Sequence, residues 1–247
     1  MSLTFTLIQT ALFWEDIDAN LEQLTEKINS ITTFTEVIVL PEMFSTGFSM
    51  QPEKWAETMD GKAVNWMRQK AIEKRVIITG SLMIKEGGKY YNRLIWMLPN
   101  GQFGYYNKKH LFGNGNEDKH YTAGNKRLIA QVKGFKINLQ VCYDLRFPVW
   151  ARQQITADGV AEYDILLYVA NWPERRNLAW KTLLTARAIE NQCYVIGVNR
   201  VGNDGNNIYH SGDTMVVNAV GETLYKKAND EDIFTITLEK DPLVDIR

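Results

Sequence analysis

Apolar residues recur along this chain with two periods, and segments of the two kinds alternate. Spacings of three and four residues predict amphipathic helices, whereas alternating or continuous short apolar runs predict strands. The predicted helices cover residues 16–31, 61–74, 147–154 and 174–192. The predicted strands cover residues 4–9, 36–40, 76–84, 128–132, 135–141, 164–169, 194–199, 214–218, 222–225 and 232–238, with a hairpin over residues 90–106. This alternation predicts a layered α/β fold rather than a helical bundle or a sandwich of sheets alone.

Each long predicted helix has a face that the spacing assigns to the core. In residues 16–31 this face consists of Ile17, Leu21, Leu24 and Ile28. In residues 61–74 it consists of Val64, Met67 and Ala71. In residues 174–192 it consists of Leu178, Leu183, Ala186 and Ile189.

Composition narrows the classes of protein. No linker-like segment divides the 247 residues, so we expect a single domain over residues 1–247, with a faint strand–helix–strand echo between its halves. The net charge of −1 disfavours a general nucleic-acid or membrane-surface binder. No apolar stretch approaches the roughly 20 residues that span a bilayer. The first residues are typical of a strand rather than a secretory signal, so a cytoplasmic location is expected by default.

Polar side chains follow several of the predicted strands directly. Glu42, Cys142 and Asn171 each stand at or just beyond the end of an apolar run. In open α/β sheets, ligands bind at the ends of strands. The pattern therefore predicts a site that brings these segments together.

Cys142 is the candidate nucleophile. A cysteine in an apolar run is more often a packing residue, but the polar turn that follows places this thiol at a sheet edge. A thiol at such a turn, near a helix N-terminus or a cation, is expected to have a depressed pKa. The backbone N–H of Tyr143 would then face the oxyanion that forms on attack. Cys193, between a helix and a strand, is interpreted as a buried hydrophobe, and no disulfide is expected.

A carboxylate and a lysine complete the candidate chemistry. Glu42 would serve as the general base that takes the thiol proton. Of the adjacent Lys108 and Lys109, spacing alone leaves open which one points inward to hold an oxyanion. His110 is interpreted as a structural hydrogen-bonding residue. The spacing of nearby acidic and histidine side chains matches no compact zinc motif, so neither a metal nor a cofactor is expected.

Three segments together resemble the motifs of the nitrilase superfamily of carbon–nitrogen hydrolases. They are Leu40-Pro-Glu-Met-Phe44, Asn107-Lys-Lys-His-Leu-Phe112 and Val141-Cys-Tyr-Asp-Leu-Arg-Phe-Pro148. The resemblance implies that Glu42 is the general base, Lys108 rather than Lys109 the catalytic lysine, and Cys142 the nucleophile. Glu117, seven residues before Gly124, falls where the family carries a second structural or catalytic glutamate.

The resemblance also carries expectations for the fold, the assembly and the substrate. It implies a four-layer α-β-β-α sandwich and a homodimer. The segments 41–50, 170–176 and 186–192 are similar to those of bacterial ω-amidases, which hydrolyse the terminal amide of 2-oxoglutaramate or 2-oxosuccinamate through a cysteine thioester. The expected partner is thus a small-molecule amide, with no nucleic acid and no membrane.

The sequence alone leaves open which residues bind the substrate and which of several functions the protein has. Arg146, Arg175 and Arg176 are candidates for holding a carboxylate, although Arg146 could instead pair with Asp144. Aromatic side chains are expected to form an apolar wall, namely Phe44, Phe48, Tyr143 and Trp172. The alternatives are another carbon–nitrogen hydrolase (an aliphatic amidase, an N-carbamoyl amino acid hydrolase or a nitrilase), a catalytically silent binding scaffold, or a domain whose Cys142 is only a core residue.

Overall fold

The computed structural model describes residues 1–157 and 159–247. The strands are β1 (Ser2–Gln9), β2 (Val37–Val39), β3 (Ile77–Glu86), β4 (Lys89–Met97), β5 (Phe103–Asn107), β6 (Leu128–Val132), β7 (Phe135–Val141), β8 (Ile165–Ala170), β9 (Tyr194–Asn199), β10 (Val201–Asn203), β11 (Tyr209–Val217), β12 (Thr223–Ala228) and β13 (Asp232–Glu239). The helices are α1 (Ile17–Asn29), α2 (Pro52–Trp55), α3 (Lys62–Lys74), α4 (Glu117–His120), α5 (Pro148–Ala151), α6 (Asn177–Asn191) and α7 (Asp241–Ile246).

The strands form two sheets with related topologies. The first sheet has the order β13-β1-β2-β3-β4-β5, and the second has the order β10-β11-β9-β8-β7-β6, with β12 paired to β11. In the first sheet β1, β2 and β3 are mutually parallel, and in the second β7, β8 and β9 are parallel. The outer strands of both sheets pair antiparallel. The faint internal echo of the sequence corresponds to these two parallel cores.

The sheets pack face to face, and helices cover their outer faces. Strand side chains alternate accordingly, because successive residues of a strand point to opposite faces. On β4, Leu94 and Trp96 enter the core between the sheets, whereas Ile95 and Met97 pack under α1 and α3. Helix α6 covers β9 and β11 of the second sheet. The architecture is thus the predicted α-β-β-α sandwich.

Most predicted elements are confirmed within a few residues, but the orientation of α6 is not. Its buried side chains are Trp180, Leu184, Arg187, Ala188 and Asn191. Leu178 and Ile189, assigned to the core from spacing, are 74% and 52% exposed. The inner face of α6 contains an arginine and an asparagine, which are buried because they form hydrogen bonds. A prediction from apolar spacing cannot assign such polar residues to the core.

Several short elements escaped prediction. They are α2, α4, α7, β10 and the 3₁₀ turns Gly113–Gly115 and Cys142–Arg146. The helix predicted over residues 147–154 is the single turn α5, and the one predicted from residue 174 begins as a 3₁₀ turn, Glu174–Arg176. Elements of three to six residues are too short to display a period. Within the described residues, no helix combines the length and apolarity required to cross a membrane.

Candidate active site

Four polar side chains from different segments meet where the strands of both sheets end. Glu42 lies three residues beyond β2, Lys108 follows β5, Glu117 begins α4, and Cys142 follows β7. Glu42, Lys108 and Glu117 are completely buried, and Cys142 retains 8% exposure. All four residues singled out from the sequence are therefore brought together.

Lys108 lies between the two carboxylates. Its Nζ is 2.9 Å from Glu42 Oε1 and 2.8 Å from Glu117 Oε2. Burial alone would lower the pKa of this amine, but Glu117 and Glu42 outweigh burial and raise the pKa above its usual value. Lys108 is therefore a fixed ammonium group. Lys109 instead approaches the Trp150 ring, with Nζ 5.6 Å from its centre, so the structure resolves the choice between the two lysines.

Backbone and amide donors orient the Glu42 carboxylate. Its Oε1 accepts a hydrogen bond of 2.7 Å from Asn92 Nδ2, and its Oε2 accepts one of 2.7 Å from the backbone N–H of Asn171. Asn171 follows β8, as the polar residue after an apolar strand predicted. Asn92 was missed, because an asparagine within a hairpin strand carries no signal in a single sequence.

Glu117 is held entirely by N–H donors. Its oxygens accept from Lys108, from Asn92 at 3.0 Å and from the backbone N–H of Phe112 at 2.6 Å. Burial raises the pKa of this carboxyl, and the Lys108 ammonium opposes the rise. A carboxylate whose two oxygens only accept hydrogen bonds is in its ionised form.

Cys142 opens a tight 3₁₀ turn with a left-handed backbone, at φ 44°. A positive φ is uncommon for a residue with a side chain and is found at functional turns. The expectation of a depressed thiol pKa is wrong. Burial first, and then the negative charge of Glu42, raise the pKa of Cys142 well above its usual value, and Lys108 only partly compensates. The resting sulfur is thus a thiol beside a carboxylate.

A cavity of about 140 Å³ opens onto this sulfur. Its walls include the five predicted substrate-binding residues Phe48, Tyr143, Arg146, Trp172 and Arg175, together with Arg176. The prediction that Phe44 belongs to the apolar wall is wrong. Phe44 is fully buried under α1 and α3, with its ring 5.7 Å from that of Trp66, and does not reach the cavity.

The opposite wall comes from the hairpin of β10 and β11, which the sequence did not connect to the site. Asp204, Asn206, Ile208 and His210 line the cavity from this hairpin. Burial, reinforced by Arg200, lowers the pKa of His210 to about 4, so that its ring is neutral near pH 7. The hairpin lies far from the three motifs in the sequence, and only the pairing of β11 with β9 places it there.

The cavity has a surplus of positive charge. Among the described residues, Arg146, Arg175 and Arg176 form no salt bridge, and Asp204 is the acidic residue on the wall. The Arg146 guanidinium lies 5.2 Å from the Trp172 ring centre, and that of Arg176 lies 4.7 Å from that of Phe112. Burial and the two neighbouring arginines lower the pKa of Arg176. The cavity is therefore suited to an anionic molecule.

The remaining candidates have structural surroundings. His110 Nδ1 is 2.8 Å from Asp144 Oδ1, and its ring stacks on Phe147, in keeping with the structural role predicted for it. Asp144 thus pairs with His110 rather than with Arg146. Cys193 is a free and fully buried thiol. In the part of the chain that the structure describes, no group of three His, Cys, Asp or Glu side chains is arranged to hold a metal ion.

Comparisons with known proteins agree with this geometry. The sequence model of the carbon–nitrogen hydrolase family matches residues 4–242. An ω-amidase of Escherichia coli, YafV, is 46% identical over 222 residues, which cover 90% of this chain and 84% of that protein. A 2-oxoglutaramate amidase of Bacillus subtilis is 28% identical over 100% of this chain and 95% of its own.

Solved structures give the same result. A CN-hydrolase superfamily protein from Xanthomonas campestris, which carries an arsenic adduct in its active site, superposes with a TM-score of 0.96 at 41% identity, covering 99% of this chain and 93% of that one. The match of the family over almost the whole chain, together with the three motifs gathered around one cavity, establishes that this protein belongs to the carbon–nitrogen hydrolase family of the nitrilase superfamily.

Proposed function

We propose that this protein is an ω-amidase, which releases ammonia from the terminal amide of a short 2-oxo dicarboxylic acid monoamide such as 2-oxoglutaramate or 2-oxosuccinamate. The observation that carries the proposal is the buried Glu42–Lys108–Cys142 group at the end of a cavity that also contains three arginines, which have no carboxylate partner among the described residues. The names of the similar amidases from Escherichia coli and Bacillus subtilis support this substrate class.

In the proposed first half-reaction, Cys142 Sγ attacks the amide carbon. Because burial and Glu42 keep the thiol protonated, Glu42 takes its proton as the carbon–sulfur bond forms. The C–N bond then breaks, and ammonia leaves with the proton that Glu42 holds. The products of this step are a thioester on Cys142 and an ionised Glu42.

In the second half-reaction, Glu42 takes a proton from water as the water oxygen attacks the thioester. The C–S bond breaks, the carboxylic acid product leaves, and the proton returns to sulfur. In both halves the Lys108 ammonium and the Tyr143 N–H hold the tetrahedral oxyanion, and the loss of one such donor typically costs roughly 3–4 kcal/mol in the barrier. Glu117, which contacts Lys108 and not the reacting atoms, acts as a positioning residue.

The arginines supply the proposed selectivity for a carboxylated amide. A guanidinium group pairs bidentately with a carboxylate, and Arg146, Arg175 and Arg176 line the cavity without salt-bridge partners among the described residues. Phe48 and Trp172 provide the apolar wall for the short carbon chain. Replacing Arg175 with Met should therefore raise KM for 2-oxoglutaramate more than for an uncharged amide of the same length.

The deciding experiment measures ammonia release from a panel of amides, with Cys142→Ala as the test variant and Cys193→Ala as its matched control. We expect turnover of 2-oxoglutaramate by the wild-type protein and by Cys193→Ala, and none by Cys142→Ala. Mass spectrometry of the intact wild-type protein after rapid quenching should show the acyl-enzyme. Wild-type activity in Cys142→Ala would refute the proposed nucleophile.

The same panel separates the alternatives. It includes aliphatic amides, N-carbamoyl amino acids and nitriles, because the Glu–Lys–Cys group serves the hydrolysis of all of them. Preference for one of these over the 2-oxo acid monoamides would keep the chemistry and change the substrate. Alkylation of Cys142 by iodoacetamide without turnover of any compound would identify a silent scaffold.

We further propose a homodimer formed through α6. Leu178 and Ile189 of this helix are exposed, as is Val220, whose neighbour Gly221 lies against the Ile189 side chain. Exposed apolar side chains that cluster on one face favour association with a second copy. Light scattering should give twice the chain mass for the wild-type protein and the single mass for Leu178→Asp. The control Phe34→Asp, which replaces an exposed phenylalanine elsewhere, should stay dimeric.

We also propose the cytoplasm as the location. The proposed reaction requires a reduced sulfur at Cys142, and both cysteines of the chain are free. Reducing compartments keep thiols in this form. Cell fractionation that places the protein with periplasmic or secreted markers would contradict this.

A further inference from the structure

Asp144 is a buried carboxylate that the proposed reaction does not use. Its side chain is completely shielded from solvent and accepts four hydrogen bonds. Oδ1 accepts from the backbone N–H of His110 and from its ring nitrogen, both at 2.8 Å. Oδ2 accepts from the Tyr106 hydroxyl at 2.7 Å and from the backbone N–H of Val141 at 3.1 Å. Every acceptor position is thus engaged by a donor at fixed distance.

These bonds join the two segments that carry the lysine and the nucleophile. Tyr106 and His110 flank Lys108 on its own segment, and the Tyr106 hydroxyl also accepts from the backbone N–H of Lys109 at 3.1 Å. Val141 immediately precedes Cys142. One carboxylate therefore connects the backbone on both sides of Lys108 to the backbone at the sulfur.

The turn that Asp144 stabilises is strained. Cys142 has a left-handed backbone, which is unfavourable for a residue with a side chain and persists only where the surroundings fix it. Besides the carboxylate, the backbone carbonyl of Asp144 accepts from Phe147 N, and Arg187 donates to the carbonyl of Leu145 at 2.6 Å. Of these bonds, only those to the Asp144 carboxylate also reach the lysine segment.

We propose that Asp144 is a positioning residue, which sets the distance between the Lys108 ammonium and the Cys142 sulfur by tying their segments to one carboxylate. The proposal concerns the same site as the proposed function and rests on it only for the turnover measurements. Asp144 does not line the cavity, so its effect falls on the reaction step and not on substrate binding.

The substitution Asp144→Asn tests this with little change in volume. An amide offers one oxygen and one NH2 group, and the NH2 group must face two N–H donors or an N–H and a hydroxyl. With the NH2 group toward Val141 the bond to the nucleophile's segment is lost, and with the NH2 group toward His110 the bond from the His110 backbone N–H is lost and only the Tyr106 hydroxyl still joins the lysine segment. Tyr106→Phe is the milder companion, because it removes one donor to the same carboxylate and leaves Val141 and His110 bonded.

Asp164→Asn is the matched control. Asp164 is also buried, and it also accepts from a backbone N–H, that of Lys136 at 3.0 Å, but it lies at the far end of β8 beside Lys240 and Arg247. It should lose stability without losing catalysis. The measurements are kcat, KM, the melting temperature, and the rate of Cys142 alkylation by iodoacetamide, which does not depend on the substrate.

For Asp144→Asn we expect kcat to fall about 100-fold with KM within about threefold, as for a displacement near 1 Å of reacting groups. In Tyr106→Phe we expect kcat to fall about tenfold. In the double variant kcat should be little lower than in Asp144→Asn alone, because both substitutions act through one carboxylate. Alkylation of Cys142 should slow in Asp144→Asn and not in Asp164→Asn, because proton transfer from the thiol to Glu42 depends on the same placement of the Cys142 sulfur.

Three results would overturn the inference: unchanged kcat in Asp144→Asn, an unchanged or faster alkylation rate, or an equal loss of kcat in Asp164→Asn at equal loss of melting temperature. If the wild-type protein turns over none of the amides while alkylation still slows in Asp144→Asn, the proposed function fails and the positioning role stands.

Discussion

One ammonium group balances two carboxylates in the completely buried part of the site. Lys108 touches both Glu42 and Glu117, and the chain supplies no second cation to this cluster within the described residues. Removing one member of a buried ionic group leaves the others without compensation, which is more costly than losing a surface pair. The same lysine therefore serves stability and chemistry.

The adjacent lysines make this testable. We expect Lys108→Met to lower the free energy of unfolding by roughly 3–5 kcal/mol, because two carboxylates remain buried beside an apolar side chain. Lys109→Met should change it by less than about 1 kcal/mol, as for a partly exposed charge. Urea unfolding of both variants at pH 7 measures the difference. An equal decrease in the free energy of unfolding for both variants would mean that the buried Lys108 contributes no more to stability than Lys109.

His210 gives a second prediction for a single residue. Its pKa is lowered from 6.5 to about 4 by burial and by Arg200, so the unfolded chain binds a proton in that interval and the folded protein does not. Its contribution is present above pH 6.5 and is lost as the pH falls through 4, by about 3 kcal/mol in all. Unfolding measured at several pH values should show a shallower acid loss for His210→Gln than for the wild-type protein. His120→Gln should behave as the wild-type protein does.

At the scale of elements, the contact between α6 and β9 depends on the absence of a side chain at Gly197. A Cβ placed there would lie 2.6 Å from Leu184 Cδ1 and 2.8 Å from Trp180 Cζ2. The glycine thus allows the helix to lie directly on the strand whose end, with that of β8, supports the cavity wall through Asn199 and Trp172.

Gly197→Ala should therefore be destabilising by about 1–3 kcal/mol, the usual cost of overpacking a tight core. Gly104→Ala is the control on β5, where the nearest atom is the end of the Leu128 side chain at 3.3 Å. Denaturant unfolding compares the two. A loss in Gly197→Ala no larger than that in Gly104→Ala would show that α6 can retreat from β9 without cost.

The same elements show why sequence reasoning succeeded for strands and not for α6. The strands β8 and β9 are nearly continuous apolar runs, and β7 alternates apolar with polar residues, so the limits of all three are visible in the sequence. The inner face of α6 includes Arg187, which donates to the carbonyl of Leu145, and Asn191, which accepts from the backbone N–H of Gln153. Hydrogen-bond partners across the fold, unlike apolar spacing, leave no local pattern.

The whole molecule explains which parts of the site could be predicted. Glu42, Lys108 and Cys142 follow strands within motifs and were identified together. Asn92 and the hairpin carrying His210 become part of the site only because two sheets face each other and β11 pairs beside β9. One cluster of buried apolar side chains includes residues of both sheets, from Leu3 to Leu243, and the single domain over residues 1–247 stays a prediction.

Several thiol and phenol groups in the buried core keep their protons, so we predict that the free energy of unfolding decreases at high pH. Burial raises the pKa of Cys142, Cys193 and Tyr168, so at high pH the unfolded chain loses protons that the folded protein keeps. The contribution of these three groups to stability should therefore be constant below their ordinary pKa values and fall above them, by about 1.4 kcal/mol per pH unit for each group.

The contribution of Tyr168 can be measured separately from that of the two thiols. Its buried hydroxyl has no hydrogen-bond partner among the described residues, so Tyr168→Phe should be neutral or stabilising at pH 7. Above pH 10 the variant should lose stability with a slope smaller by about 1.4 kcal/mol per pH unit, because one retained proton is removed from the balance. Tyr209→Phe, at an exposed position, should leave the wild-type slope unchanged. Equal alkaline slopes for Tyr168→Phe and the wild-type protein would mean that Tyr168 ionises within the folded core.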